Sequence, residues 1–297
     1  MIKKTLYFSK PVKLRIKLNQ LRIIQNGEAE RCIPIEDIGY VIIDHYGISI
    51  SHGVLQQFLD TNVCLVTTDD SHLPVGMFLP LSGNSEQCER FRQQVGSGLP
   101  LKKQLWQQTV KAKIKNQAAL LKSKKLPDQY LKNLIPKVLS GDKSNREAVA
   151  SKYYWKILFE PLPFRRNREG KPPNNLLNYG YAILRAVIAR SLVASGMLPM
   201  LGIHHHNRYD PFPLADDIME PYRPFVDEIV RDMVDEEFDL TRLTPEMKKP
   251  LLEIPVTAVK LGNEKLPLML AASRTSASLS RCFSGNSTKI IYPEICG

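Results

Sequence analysis

Between Gly202 and Asp227 the chain sets three consecutive histidines, His204, His205 and His206, ahead of four carboxylates, Asp210, Asp216, Asp217 and Glu220, with Arg223 close behind. Imidazole and carboxylate donors in one short stretch are the raw material of a metal site. A zinc hydrolase would need more nitrogen or sulfur ligands at set spacing, and no H-E-x-x-H pair occurs. One imidazole with carboxylates is a harder donor set, suited to Mg²⁺ or Mn²⁺. Neighbouring side chains on an extended backbone point to opposite sides, so one or two of the three histidines at most can face one ion. On a helix, Asp216 and Asp217 would point the same way as Glu220. Such a crowd of like charge is costly unless a cation sits in it or Arg223 offsets it. The competing reading is a structural polar cluster in which Asp216 or Asp217 caps the helix start.

Other segments would have to complete a site. Around residues 141–159 the pattern offers Glu147 near a helix start, with Asn145 as a cap and small residues Ala148, Ala150 and Ser151 for close packing. The pattern alone does not single out Glu147, since a glutamate there is an ordinary partner for the helix dipole. Between Phe91 and Pro127 there is no Asp or Glu, but there are Arg92 and eight lysines: Lys102, Lys103, Lys111, Lys113, Lys115, Lys122, Lys124 and Lys125. A solvated helix face normally mixes both signs. Contact with phosphates is a reason to forgo that support, and a merely soluble helix is the alternative. A proline-rich loop adds Arg165, Arg166, Arg168 and Lys171.

The elements that must position these groups fall into two kinds. Over residues 12–18 apolar and basic residues alternate with period two, Asn19-Gln20 and Asn26-Gly27 read as turns, and further apolar runs lie at 40–43, 48–50 and 63–67. A short helix is expected over 51–59, capped by Ser51. Residues 81–100 carry Gly, Asn, Ser and Pro and read as a linker leading to a helix start. A long helix follows from about residue 99, then helices over 128–139, 145–159, 174–196, 216–236 and 245–252. The expected fold class is α+β: an N-terminal β-sandwich-like domain over 1–82, a linker over 83–98 and a larger all-α domain over 99–297. The 297 residues suffice for one or two cores. The formal net charge of +11 favours polyanionic partners, nucleic acid ahead of an anionic membrane surface. The five cysteines form no C-x-x-C pair, which argues against disulfides and thiolate zinc and for a cytoplasmic setting. The N-terminus reads as no signal peptide, and no run of about 18 apolar residues is seen, so no membrane span is expected.

Four pieces in one order carry a resemblance: residues 141–155 around Glu147, N-N-L-L-N-Y-G-Y-A-I-L-R-A at 174–186, G-I-H-H-H-N at 202–207 and L-A-D-D-I-M-E-P-Y-R-P at 214–224. With them the chain resembles CRISPR-associated protein one, the adaptation integrase, in the version found with type II systems. The resemblance implies a metal-binding catalytic triad at Glu147, His205 and Glu220, with Asp217 as a participant in some relatives. It implies Mg²⁺ or Mn²⁺, and it implies that 3′-hydroxyl ends of spacer-precursor DNA are joined to the CRISPR repeat by transesterification. It further implies that the β-domain forms a homodimer and the helical domain is catalytic. Double-stranded DNA would be one partner. The small companion adaptation subunit would complete a hetero-hexamer, and other type II CRISPR subunits remain open as partners. DNA would be gripped by Lys102, Lys103, Lys111, Lys113, Lys115, Arg165, Arg166 and Arg168. A non-enzymatic nucleic-acid scaffold and an unrelated zinc hydrolase are the alternatives.

Overall fold

The structure is a computed structural model that describes residues 3–295 except Ser71, Ser82, Arg168, His206, Glu237, Phe238 and Arg242. The chain divides into two compact units, residues 1–83 and 84–297.

In the first unit the strands are β1 (Lys4–Phe8), β2 (Lys13–Lys17), β3 (Gln20–Ile24), β4 (Arg31–Pro34), β5 (Ile38–Ile43), β6 (Ser49–Ile50), β7 (Cys64–Thr68) and β8 (Pro74–Phe78), with helix α1 (His52–Asp60) between β6 and β7. One sheet runs β4-β3-β2-β6 and the other β1-β5-β7-β8. The alternation read over 12–18 is the β2 half of a β2–β3 hairpin. Its turn places Leu18 and Asn19 at φ 52° and 57°, the paired positive values that suit the twist of a two-residue hairpin turn. The second sheet departs from a hairpin-built sandwich: β5 pairs in parallel with both β1 and β7. Parallel neighbours need a crossover, which α1 helps to supply. The run Ile38–Ile42 is buried throughout, as a central parallel strand demands. Leu14 and Leu21 from one sheet, Val41 and Leu65 from the other, and Val54 and Phe58 from α1 share one core. Ser51 precedes α1 but makes no side-chain cap.

In the second unit the helices are α2 (Gln87–Val95), α3 (Leu99–Ser123), α4 (Gln129–Leu134), α5 (Arg146–Leu158), α6 (Asn174–Ala194), α7 (Pro213–Met219), α8 (Arg223–Asp235), α9 (Pro245–Leu252) and α10 (Leu268–Phe283). Three expectations are corrected. The stretch 83–98, read as a linker, contains α2. The unit is not all-α, because Ala258–Leu261 (β9) and Glu264–Pro267 (β10) form an antiparallel hairpin. The helix expected over 216–236 is two helices, α7 and α8, joined by a 3₁₀ turn at Glu220–Tyr222 that contains Pro221; proline lacks the N–H and crowds the preceding turn. Helix α10 was not expected at all, since its serines and threonine are weak helix formers.

Helix α3 is the axis of the unit and packs against α4, α5, α7 and α8. Helix α6 is long and apolar enough to cross a bilayer by length and mean hydropathy, although Asn178, Arg185 and Arg190 interrupt its apolar run, and 78% of its most apolar window is buried inside the fold. It is a core helix. Gly180 lets it come close to α8, because a Cβ there would lie 2.4 Å from Val226 Cγ1.

Candidate active site

Glu147 enters the site at the first turn of α5. Asn145, expected as its cap, sits at the boundary in a left-handed conformation and makes no side-chain cap. Asp142 does that work: its carboxylate accepts the backbone N–H groups of Arg146 and Glu147, both at 2.9 Å. Two of the helix's unpaired donors are thereby satisfied and the start of the helix is fixed.

Glu220 enters at the break between α7 and α8. It is buried, and its Oε1 pairs with Arg223 at 2.9 Å. The Glu147 and Glu220 carboxylates face the same point, and the Lys113 ammonium of α3 occupies it. Lys113 Nζ lies 2.6 Å from Glu147 Oε1 and 2.6 Å from Glu220 Oε2. The first contact is a directed hydrogen bond. The second joins the buried Glu220 Oε2 to the same ammonium. Burial alone would lower the Lys113 pKa, but Glu220 and then Glu147 outweigh it and hold the ammonium above the ordinary lysine pKa. Burial likewise pushes Glu220 up, and Arg223 with Lys113 pulls it below the usual carboxylate value.

His205 is placed by Asp217. That carboxylate is fully buried. Its Oδ1 lies 2.6 Å from His205 Nδ1, and it accepts the backbone N–H groups of Ile203, His204 and His205. A Cβ at residue 202 would lie 2.4 Å from the His205 carbonyl oxygen and 3.0 Å from Asp217 Oδ2, so glycine is needed for this wrapping. The hydrogen bond to Asp217 raises the His205 pKa against the opposing effect of burial. It also engages Nδ1 and leaves Nε2 as the ring's donor atom. The imidazole remains 43% exposed. Trp106 of α3 supports both histidines: His204 stacks flat on the indole, with ring centres 4.1 Å apart, and His205 meets it edge-on at 5.5 Å. His206 lies outside the described residues.

The carboxylate crowd read from the sequence is thus dispersed, one counter-charge or donor set to each. Asp216 takes a two-point pair with Arg185, Asp217 takes the histidine loop, and Glu220 takes Lys113 and Arg223. Neither Asp216 nor Asp217 caps α7, which begins at Pro213.

The family model described as "CRISPR associated protein Cas1" matches residues 6–239. The chain belongs to the Cas1 family. It is 35% identical over 286 residues to the CRISPR-associated endonuclease Cas1 of Neisseria meningitidis serogroup C, covering 95% of this chain and 93% of that one. It is 30% identical over 234 residues to a CRISPR-associated endonuclease Cas1 of Pyrobaculum aerophilum, covering 73% and 78%. Among solved structures, a casposase bound to integration product shares the fold with TM-score 0.77 at 16% identity, covering 98% of this chain and 92% of that one. The Cas1 protein of Thermotoga maritima gives 0.73 at 17%, covering 96% and 98%.

Within this Cas1 fold the basic residues do not form one face. Lys102, Trp106 and Lys113 follow a four-and-seven spacing, which keeps one side of a helix of about 3.6 residues per turn; Lys111, Lys115 and Lys122 follow the same spacing on the opposite side. Lys113, read as a DNA contact, is buried among the acidic residues instead. Lys115 is exposed and pairs with Glu294 at 2.5 Å, and Lys124 pairs with Asp232. Lys102, Lys103 and Lys111 are half-buried, and Lys103 covers the turn at Gly141. Arg165 is exposed. Arg166, read as a DNA contact, is tucked inward: it donates to Asn174 and Asn178 and lies 5.3 Å from the Tyr181 ring centre. Arg168 lies outside the described residues.

Among the described residues no three of His, Cys, Asp and Glu form a ready metal cage. The donors nonetheless suit a hard divalent cation. Two carboxylates, one from α5 and one from the turn after α7, face one cation at 2.6 Å each, and a buried carboxylate engages the Nδ1 side of the imidazole. Asp142 and Trp106 escaped the sequence reading, and Lys113 was read only as a DNA contact. The one available signal was the shared face of Lys102, Trp106 and Lys113.

Proposed function

We propose that this chain is a divalent-metal-dependent DNA endonuclease and integrase of CRISPR adaptation, joining 3′-hydroxyl ends of spacer-precursor DNA to the repeat by transesterification. The observation that carries this reading is the meeting of Glu147 and Glu220 on one cation, with His205 held beside them by buried Asp217. Glu147, Glu220 and His205 Nε2 would hold Mg²⁺ or Mn²⁺, which when bound supplies stabilisation of charge at the reacting phosphodiester. The attacking 3′-hydroxyl gives up its proton to solvent and bonds to phosphorus, and the cut repeat strand leaves through its own 3′-oxygen, which takes a proton from solvent. One phosphodiester replaces another. Water in place of the hydroxyl gives strand cleavage at the same seat.

The chain's own part is positioning, which dominates phosphoryl transfer. Asp217 fixes the ring orientation of His205, Arg223 offsets Glu220, and Asp142 fixes the helix start that carries Glu147. Lys102, Lys103, Lys111, Lys115 and Arg165 are the charges left for the DNA backbone, a contact that is insensitive to sequence and weakens with salt. A Cas6-RT-Cas1–Cas2 complex shares the fold at TM-score 0.74 and 18% identity, this chain spanning 36% of that one. That likeness supports a small Cas2-type companion; a homodimer through the β-rich unit, a hetero-hexamer and double-stranded DNA complete the proposal, with other type II CRISPR subunits as further candidates.

The test is joining of labelled duplex DNA to a repeat-bearing plasmid with Mg²⁺ or Mn²⁺. Chelator should abolish joining. Glu147→Ala and His205→Ala should each lower it by about 100-fold or more while DNA binding stays near wild type. Undiminished joining by either variant would overturn the assignment.

A further inference from the structure

Lys113 does more than the tethering its position suggests. Asn116, one turn later on α3, donates to the carbonyls of Pro221 and Pro293 at 2.7 and 2.9 Å and accepts from the Ile295 N–H. Those bonds already tie α3 to the turn that carries Glu220. Arg223 already pairs with Glu220. An additional buried ammonium carries a desolvation cost that only close carboxylates offset. Its side chain is 10% exposed, and both contacts of its head lie at 2.6 Å. The head is also a point charge on a flexible four-carbon stem, able to leave without moving the helix.

We propose that Lys113 is a resident counter-ion, whose ammonium occupies the place between Glu147 and Glu220 while no divalent cation is bound and must be displaced when one binds. The inference rests on the metal-site reading above. It has two consequences. The metal-free fold is spared two facing carboxylates without a cation between them, a repulsive arrangement. Cation affinity is lowered by the competition, because the ammonium must give up both carboxylates first.

The test compares the full-length metal-free protein with Lys113→Met, Lys113→Gln and Glu147→Gln at pH 8. Mn²⁺ affinity is measured by titration calorimetry and melting temperature is measured in chelator. The expected result is Mn²⁺ binding roughly tenfold tighter or more in Lys113→Met, with a lower melting temperature in chelator, since removing one partner leaves buried charge uncompensated. Lys113→Gln keeps a hydrogen-bonding head and gives the same affinity comparison should the methionine variant not fold without metal. Unchanged or weaker Mn²⁺ binding in the folded variants would overturn displacement, even with wild-type binding intact. No Mn²⁺ binding by wild type, or undiminished binding by Glu147→Gln, would instead remove the metal-site reading and this inference with it.

Discussion

Asp217 takes four contacts from one loop, three backbone N–H groups and the His205 ring, and this makes it the residue on which the imidazole's aim depends. An asparagine there keeps the shape but presents an amide NH₂ where only donors point in. We expect Asp217→Asn to cut joining by about 10- to 100-fold, as loss of a carboxylate behind a ligating histidine typically does. Circular dichroism should report an intact fold, and the joining rate with saturating Mn²⁺ reads the effect. A rate equal to wild type would show that His205 needs no such orienter. Asp217 and Glu220 stand three apart in the sequence, yet one positions and the other faces the cation. The difference is not in the residues but in what each meets: Gly202 leaves room for Asp217, and Lys113 and Arg223 meet Glu220.

Helix α3 and the start of α5 set the site at the scale of elements. The lysines of α3 read as one basic stripe only while the helix is imagined on a surface. Buried as it is against α4, α5, α7 and α8, it sends Lys113 inward and leaves Lys115 outward. Helix α5 begins where Asp142 accepts two backbone donors. Asp142→Ala should destabilise the protein by roughly 0.5–2 kcal/mol, the usual cost of a lost cap, measured by urea denaturation. It should also reduce joining, because Glu147 N–H is one of the two donors released. Wild-type stability in this variant would show that water caps the helix equally well.

At the scale of the whole molecule, Asp227 ties its helix α8 to α5 and α6. It accepts hydroxyls from Tyr154 at 2.8 Å and Tyr181 at 2.5 Å, deep in the second unit. Burial pushes its carboxyl up to about 7, against the pull of both tyrosines and of Arg223. A carboxyl raised in the folded state binds its proton more tightly there than in the unfolded chain. Its contribution is therefore full below the unfolded pKa near 4 and is lost as pH rises through about 7. We expect the stability of wild type relative to Asp227→Asn to fall between about pH 4 and about pH 7 and to level off above that. Denaturant midpoints across that range check it, and a constant difference would contradict the shift.

The residues themselves determined much of this protein. Period-two alternation over 12–16 made a strand because its apolar side chains had one face to bury, while Leu18, the next in the pattern, lies exposed in the turn. The four motif stretches from Glu147 to Arg223 carried the Cas1 family, whose model matches them. The charge of +11 and the gap in acidic residues from 91 to 127 raised the expectation of a polyanionic partner, which belongs to the proposed function. What the sequence left open was which charges meet. Periodicity reports the face of a single element, whereas an ion pair depends on two elements and the desolvation of both partners. So Lys113 and Arg166 read as surface cations, and only tertiary packing brought the first between Glu147 and Glu220 and folded the second onto Asn178. The parallel pairing of β5, the break at Pro221 and the cap at Asp142 belong with them, since each is decided by neighbours distant along the chain or by a bond that no spacing records.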